Sequence, residues 1–427
     1  MFVTVDIGGY DVSMRPSLLI TAFVTALVFS IMSFMTVAAV LPDLKAEWLL
    51  NDTEAGLLGG IFFAGYVAGV LVLASLTDRF DPKIIYIGSA VMGGVATILI
   101  GVLAEGLIAG LVLRFIAGVG MAGTYMPGLR GLTDTLDGTH KNKGLVYYTS
   151  FFALGSGLSV LVSGEINQVL DWRWAFILTG AGFFAAAIIV AVVLPPRPPL
   201  ELAEKPETHP LDFRPVIRNR EVMAYIVGVV GATWEVFAYR VWAPSFLMFL
   251  APIAPSGFLF EPTVMATAIA FIGIPASAWL GQVTEKIDRR KTLIWTSLVS
   301  ITLAILIALN LDQPYWLLIL LALALGMTSY GRNAATTAGM MAAADPKLKG
   351  MTMAFFAAVG FLGGVLGPFL FGVAQDVASD GVEGNAWSAG FLALAFGGVV
   401  SVLGLSLLGN RKLATGQPAK QSMEHSN

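Results

Sequence analysis

The sequence predicts an all-α membrane protein: twelve transmembrane helices in two six-helix bundles. Three observations carry that expectation. Apolar runs long enough to cross a bilayer recur along the chain, one charged turn occurs twice at a separation of 207 positions, and basic residues keep almost wholly to alternate connections. Hydrophobic residues make up 56% of the 427, and charged residues only 12%, about half the share of a soluble domain. So much apolar surface requires lipid as its solvent.

A helix needs about 20 apolar residues to cross the hydrocarbon core. Six such stretches are Ser17 to Leu41, Ala55 to Thr77, Ile84 to Ala104, Leu107 to Leu129, Gly144 to Ile166 and Trp174 to Leu194. Six more are Val222 to Leu250, Thr263 to Val283, Thr292 to Leu311, Tyr315 to Met341, Met351 to Ala374 and Trp387 to Leu408. The first is long for a signal-peptide core and lacks a small-residue cleavage site, so it reads as a retained span. Between the sixth and seventh, Pro195-Pro-Arg-Pro-Pro199 cannot continue a helix. The expected organisation is an N-terminal bundle at 1–194, a cytoplasmic linker at 195–220, a C-terminal bundle at 221–410 and a disordered tail at 411–427. With the N-terminus inside, twenty lysines and arginines fall on inner segments and two, Lys45 and Arg173, on outer loops. That asymmetry places both termini in the cytoplasm and the protein in the inner (plasma) membrane.

The repeated turn follows spans two and eight. Asp78, Arg79, Asp81 and Lys83 match Glu285, Lys286, Asp288 and the pair Arg289 and Arg290. Repetition at that distance points to two copies of one unit. An acid where a span leaves the membrane caps a neighbouring helix or pairs with a base, in one state of a gate, or else it marks an ordinary solvated loop. Lys143-Gly144 before span five and Lys349-Gly350 before span eleven form a second echo.

At these residues the chain resembles the major facilitator superfamily over nearly its whole length. The family's signature after span two, roughly G-x-x-x-D-R-x-G-R-R, appears around Asp78-Arg79 and again around Glu285-Lys286, with Asp81 and Asp288 in place of the second glycine. An Arg-x-x-x-Gly-x-Gly pattern in span four appears as Arg114, Gly118 and Gly120, and Asp171-Trp-Arg-Trp-Ala-Phe176 before span six is also similar to the family. The Gly-Pro of an antiporter signature is missing from span five, and Gly363-x-x-x-Gly367-Pro368 lies in span eleven instead. The resemblance implies a secondary transporter working by alternating access. It also implies that Asp78 meets the start of span eleven.

Ionisable residues inside spans are costly and mark function or a buried pair. Arg114 lies in the outer half of span four, Glu235 near the middle of span seven, and Arg240 five residues further along. Five residues at about 100° each place Glu235 and Arg240 about 140° apart, so each needs another partner. Pro244 leaves the Arg240 carbonyl without its helical donor, which predicts a kink or break in span seven. Trp234 and Trp242 are candidate walls of a site there. Glu235 reads as a proton-binding carboxylate or as half of a structural ion pair with an arginine of another span. Arg114 and Arg240 read as an anion site; the alternatives are a general family feature for Arg114 and snorkelling to the interface for Arg240. Arg332 in span ten is a weaker candidate: it either faces the cavity or lies at the cytoplasmic interface, where a basic residue is unremarkable. Ser33 and Thr36 in span one either line a cavity or bond back to their own helix.

The function expected from these residues is proton-coupled transport of a small, organic anion. An exporter of amphipathic or cationic compounds, of the multidrug antiporter type, is the second reading, and a transporter-like sensor the third. Partners are the small-molecule substrate, protons and membrane lipid, with the chain a monomer. With no cysteine, three histidines outside the spans and no phosphate-binding motif, neither a metal, a cofactor, an enzyme activity nor nucleic-acid binding is expected.

Overall fold

The structure, a computed structural model, describes residues 3–7, 10–76, 80–194, 213–255, 261–346 and 348–408. Twelve helices in it are long and apolar enough to cross a membrane. Span 1 is made of two helices, Pro16–Ile31 and Thr36–Trp48. Spans 2 to 6 are Asp52–Leu76, Pro82–Leu103, Leu107–Thr135, Gly138–Val169 and Trp172–Val193. Spans 7 to 10 are Arg220–Leu250, Pro262–Lys286, Arg289–Leu309 and Tyr315–Ala343. Span 11 joins Lys349–Gly360 to Leu362–Ala378, and span 12 begins with Glu383–Leu403. Large apolar side chains such as Ile108, Ile188 and Trp295 are more than 60% exposed, as expected where lipid is the solvent.

One element lay outside the sequence expectation. Val3–Ile7 and Tyr10–Met14 pair as a short antiparallel ribbon before span 1. The expected linker and tail, 195–212 and 409–427, and the turn residues Asp78 and Arg79 lie outside the described residues.

Side-chain caps start several spans. The Asp81 carboxylate accepts the Lys83 N–H at 2.9 Å, and Asp288 accepts the Lys291 N–H at 2.8 Å. Both acids stand where the family signature has glycine, and each caps the helix that follows, satisfying an otherwise orphaned donor. Asp171 does the same for span 6, through the N–H groups of Arg173 and Trp174. Asp288→Ala should therefore cost about 0.5–2 kcal/mol, read as a lower thermal midpoint of the detergent-solubilised protein.

The glycine pattern of span 4 is a packing device. A side chain at Gly118 would fall on the Phe62 carbonyl of span 2, and one at Gly120 on the Gly93 backbone of span 3. Small residues let neighbouring backbones close up in a membrane bundle. Gly363 and Gly367 serve span 11 likewise, against the backbone of span 7 at Val230 and Trp234.

Span 1 begins on what is termed here the near face; the turn at Asn51 lies on the opposite, far face. The halves meet along three pairs, span 2 with 11, span 5 with 8 and span 1 with 7. Among the described residues, every hydrogen bond joining the halves lies between mid-depth and the far face. Asp376 accepts from the N–H groups of Asp52 (3.0 Å) and Thr53 (2.7 Å). Thr267 Oγ1 donates to the Gly157 carbonyl at 3.4 Å, and Arg240 donates to Ser156 Oγ at 3.2 Å. The halves are thus clasped at the far face.

Candidate functional site

Span 1 is interrupted at mid-depth, and the interruption organises the centre of the N-terminal half. Residues 32–35 leave the helix. Ser159 of span 5 takes up two of the freed backbone groups: its Oγ accepts the Met35 N–H at 2.9 Å and donates to the Met32 carbonyl at 2.6 Å. Arg114 takes up two more, donating to the carbonyls of Ser33 (3.3 Å) and Phe34 (3.4 Å). A guanidinium suits this place, because the end of a half-helix carries partial negative charge. Arg114 also lies 4.5 Å from the centre of the Phe62 ring. It is 3% exposed, and its Nε and the Ser33 Oγ are both buried without a partner. Thr36 Oγ1 sits 2.9 Å from Ser163 Oγ and 3.3 Å from Thr179 Oγ1, tying span 1 to spans 5 and 6.

The interruption turns Phe34 into a cluster of rings. Its centroid lies 5.5 Å from Phe62, 5.6 Å from Phe63, 5.8 Å from Phe152 and 6.2 Å from Phe237. Phe63 and Phe237 are 4.1 Å apart across the two halves. Arg240 stands at the edge of this cluster, 5.9 Å from Phe237 and 4.8 Å from the Tyr330 ring. It is partly buried, with its Nη1 on Ser156 and its Nε unpartnered. Arg114, on Phe62, and Arg240, on Phe237, therefore both border one aromatic cluster.

Span 7 is continuous from Arg220 to Leu250, with Pro244 inside it; of the kink or break expected there, the break is absent. One lost backbone bond is tolerated in a membrane helix because neighbours can satisfy the freed carbonyl. The interruption falls in span 1 instead, where no proline or glycine marks it.

Glu235 and Arg332 are paired. Arg332 Nη2 donates to Glu235 Oε2, and the two side chains are 0% and 1% exposed. Ser300 Oγ donates to the same oxygen at 2.9 Å, Arg332 Nη1 donates to Ser297 Oγ at 2.6 Å, and Arg332 Nε donates to the Thr328 carbonyl at 3.2 Å. Glu235 Oε1 has no partner, and Gly398 of span 12 leaves the space beside it. Arg332 thus lies buried beside Glu235 inside the C-terminal half, which decides against the interface alternative left open by the sequence. Its position in span 10, about 17 Å from the helix end, follows from the 1.5 Å rise per residue.

The two tryptophans stand apart from the arginines. Trp234 Nε1 donates to the Ala393 carbonyl of span 12, and Trp242 Nε1 donates to the Pro368 carbonyl of span 11, each at 3.1 Å. Trp242 also stacks on Phe371 at 5.2 Å. Of the second charged turn, Glu285 and Lys286 are exposed. Arg290 donates to the carbonyls of Leu405 and Ser406 and lies 3.9 Å from Glu221, all within the C-terminal half. Arg289 is partly buried, with its Nε unpartnered.

A family model described as Major Facilitator Superfamily matches residues 22–260 and 257–426. The chain belongs to the major facilitator superfamily. Within it, human protein spinster homolog 1 is 27% identical over 55% of this chain and 46% of its own length. A protein named probable sulfoacetate transporter SauU, from Cupriavidus necator, is 24% identical over 60% of this chain and 62% of its own. The chain spans about half the length of the spinster relatives it matches. Among solved structures, a bacterial homolog of the human lysosomal transporter Spinster, inward-facing and unoccupied, superposes with a TM-score of 0.69 at 18% identity, covering 92% of this chain and 95% of that one. A D-xylose–proton symporter gives 0.71 at 13% identity, covering 94% and 99%. These superpositions show the shared fold. The chain is accordingly a multi-pass membrane protein of this superfamily.

Proposed function

We propose that the protein carries a small organic anion through the inner (plasma) membrane, coupled to protons, by alternating access. One observation carries the reading. Arg114 and Arg240 both border the aromatic cluster, and among the described residues neither has a carboxylate in ion-pair reach, whereas Glu235 is already neutralised by Arg332. The middle of the molecule therefore holds two surplus positive charges. Uncompensated cations at that depth are costly unless a substrate or water completes them. The exporter of cationic compounds lacks such support, since among the described residues its cation would find no unpaired buried carboxylate. The name of the SauU relative, a sulfoacetate transporter, agrees with an anionic cargo.

Arg240 is the anion anchor in this reading: it is the more accessible of the two and bridges the halves through Ser156. Proton coupling is assigned to Glu235, the one fully buried carboxylate among the described residues. A proton on its open Oε1 would loosen the bond to Arg332 and change the packing of spans 7, 9 and 10. The near face, where the basic residues collect, is the cytoplasmic one, so the clasped state faces inward. Asp78 and Arg79, with Glu285, Lys286, Arg289 and Arg290, serve the cytoplasmic gate.

A thermal-shift screen of small carboxylates and sulfonates tests the anion reading. At least one anion should stabilise the wild type, and Arg240→Ala should weaken its binding by about tenfold or more. The unliganded midpoint of the variant should stay close to wild type. Equal binding to both proteins, or stabilisation by organic cations alone, would reject the assignment.

A further inference from the structure

A cavity of about 610 Å³ opens between the halves at the far face. Its volume suits a small organic molecule. The N-terminal half contributes Lys45 and Asp52, and the C-terminal half contributes Trp242, Gln375, Glu383 and Trp387. Gln375 is 2% exposed, and its Oε1 lies buried with no hydrogen-bond partner. Ser245, also on the wall, has a buried Oγ in the same condition. Unpaired polar atoms in the wall residues of a cavity are costly, and a ligand that the wall adjusts to pair with them gains what their desolvation lost.

The chemistry of the lining selects the ligand. Lys45 is committed to Asp52 as an ion pair, whereas Glu383 is exposed and has no ion-pair partner among the described residues. The cavity therefore presents one unmatched carboxylate, one unmatched carbonyl oxygen and two indole rings. Carbonyl and carboxylate oxygens accept hydrogen bonds, and indole faces attract cations. Lys45 shows the last preference already, with its Nζ 6.0 Å from the Trp242 ring centre. We propose that this far-face cavity binds a small organic ammonium ion carrying an aromatic or aliphatic body. The N–H groups meet Gln375 and Glu383, and the body lies against Trp387. Because both halves line the cavity, an occupant favours the clasped state by linkage.

The full-length protein in detergent, titrated with 2-phenylethylammonium and followed by tryptophan fluorescence, tests this. Saturable binding is expected, with none at the same concentrations for the neutral 2-phenylethanol or the anionic phenylacetate. Glu383→Gln and Gln375→Leu should each weaken it by about tenfold. The exposed Glu383 site keeps the test open if the buried Gln375 variant folds poorly. The chain has no cysteine, so single cysteines at the exposed Val169 and Val382 accept spin labels cleanly. The ammonium should shift their distance distribution toward the shorter, clasped distances. Equal binding of the alcohol, wild-type affinity in Glu383→Gln, or a shift to longer distances would each overturn the proposal.

Discussion

Arg332→Met should be among the most destabilising single substitutions in the protein, at about 3–5 kcal/mol. It leaves Glu235 as a lone carboxylate at 0% exposure, with Ser300 as its one remaining donor. A carboxylate at 0% exposure that has lost its partner cannot be rescued by solvent. The expected signs are a sharply lower thermal midpoint and poor recovery from detergent extraction. The paired variant Glu235→Gln with Arg332→Met removes both charges and should regain most of the loss, because replacing a whole buried pair is far less costly than breaking it. A paired variant as unstable as Arg332→Met alone would show that the two side chains act independently.

The same paired variant separates two duties of Glu235. If Glu235 is the coupling carboxylate, the stable double variant binds its anion but loses the response to an imposed pH gradient. If the pair only holds the C-terminal half together, the gradient response persists. Stability and coupling are thus read on one protein, and neither outcome is confused with misfolding.

How far the sequence disclosed this arrangement differed from residue to residue. The twelve spans and the repeated turn were legible, because lipid imposes length and apolarity on each helix regardless of its neighbours. Asp81 and Asp288 departed from the family signature, and the reason is local: each caps the next helix. Arg332 stayed undecided between interior and interface because basic residues usually mark span ends, and its partner lies 97 positions away on another helix. Only the folded chain brings them together. Span 7 was expected to kink or break between Arg240 and Pro244; its helix is unbroken, and an interruption fell at residues 32–35 instead. There the deciding groups, Ser159 and Arg114, sit on spans 5 and 4, and no pattern within span 1 reports them. Glu235 and Arg240 were expected to need separate partners from their angular spacing, and they have Arg332 and Ser156 respectively.

Asp376→Ala should open the far face. In the clasped state this carboxylate, at the end of span 11, accepts the first two N–H groups of span 2. Hydrogen bonds to an ionised acceptor are stronger than neutral ones, and a helix N-terminus favours negative charge. Losing both should cost the clasped state about 2–3 kcal/mol, a shift of roughly 30- to 150-fold toward the unclasped one. The spin labels at positions 169 and 382 would read it as growth of the longer distances. The resemblance to the family implies a reciprocal arrangement at the near face, in which Asp78 would reach the start of span 11. Each of these two helices would then be capped by an acid from the foot of the other, on opposite sides of the membrane. One rigid-body rocking motion makes one contact as it breaks the other, so the acids compete across the bilayer. Asp78→Ala should accordingly shift the same labels the opposite way, toward the clasped distances. Movement in the same direction as Asp376→Ala would show that the two acids are not opposed, and the reciprocal gate would have to be abandoned.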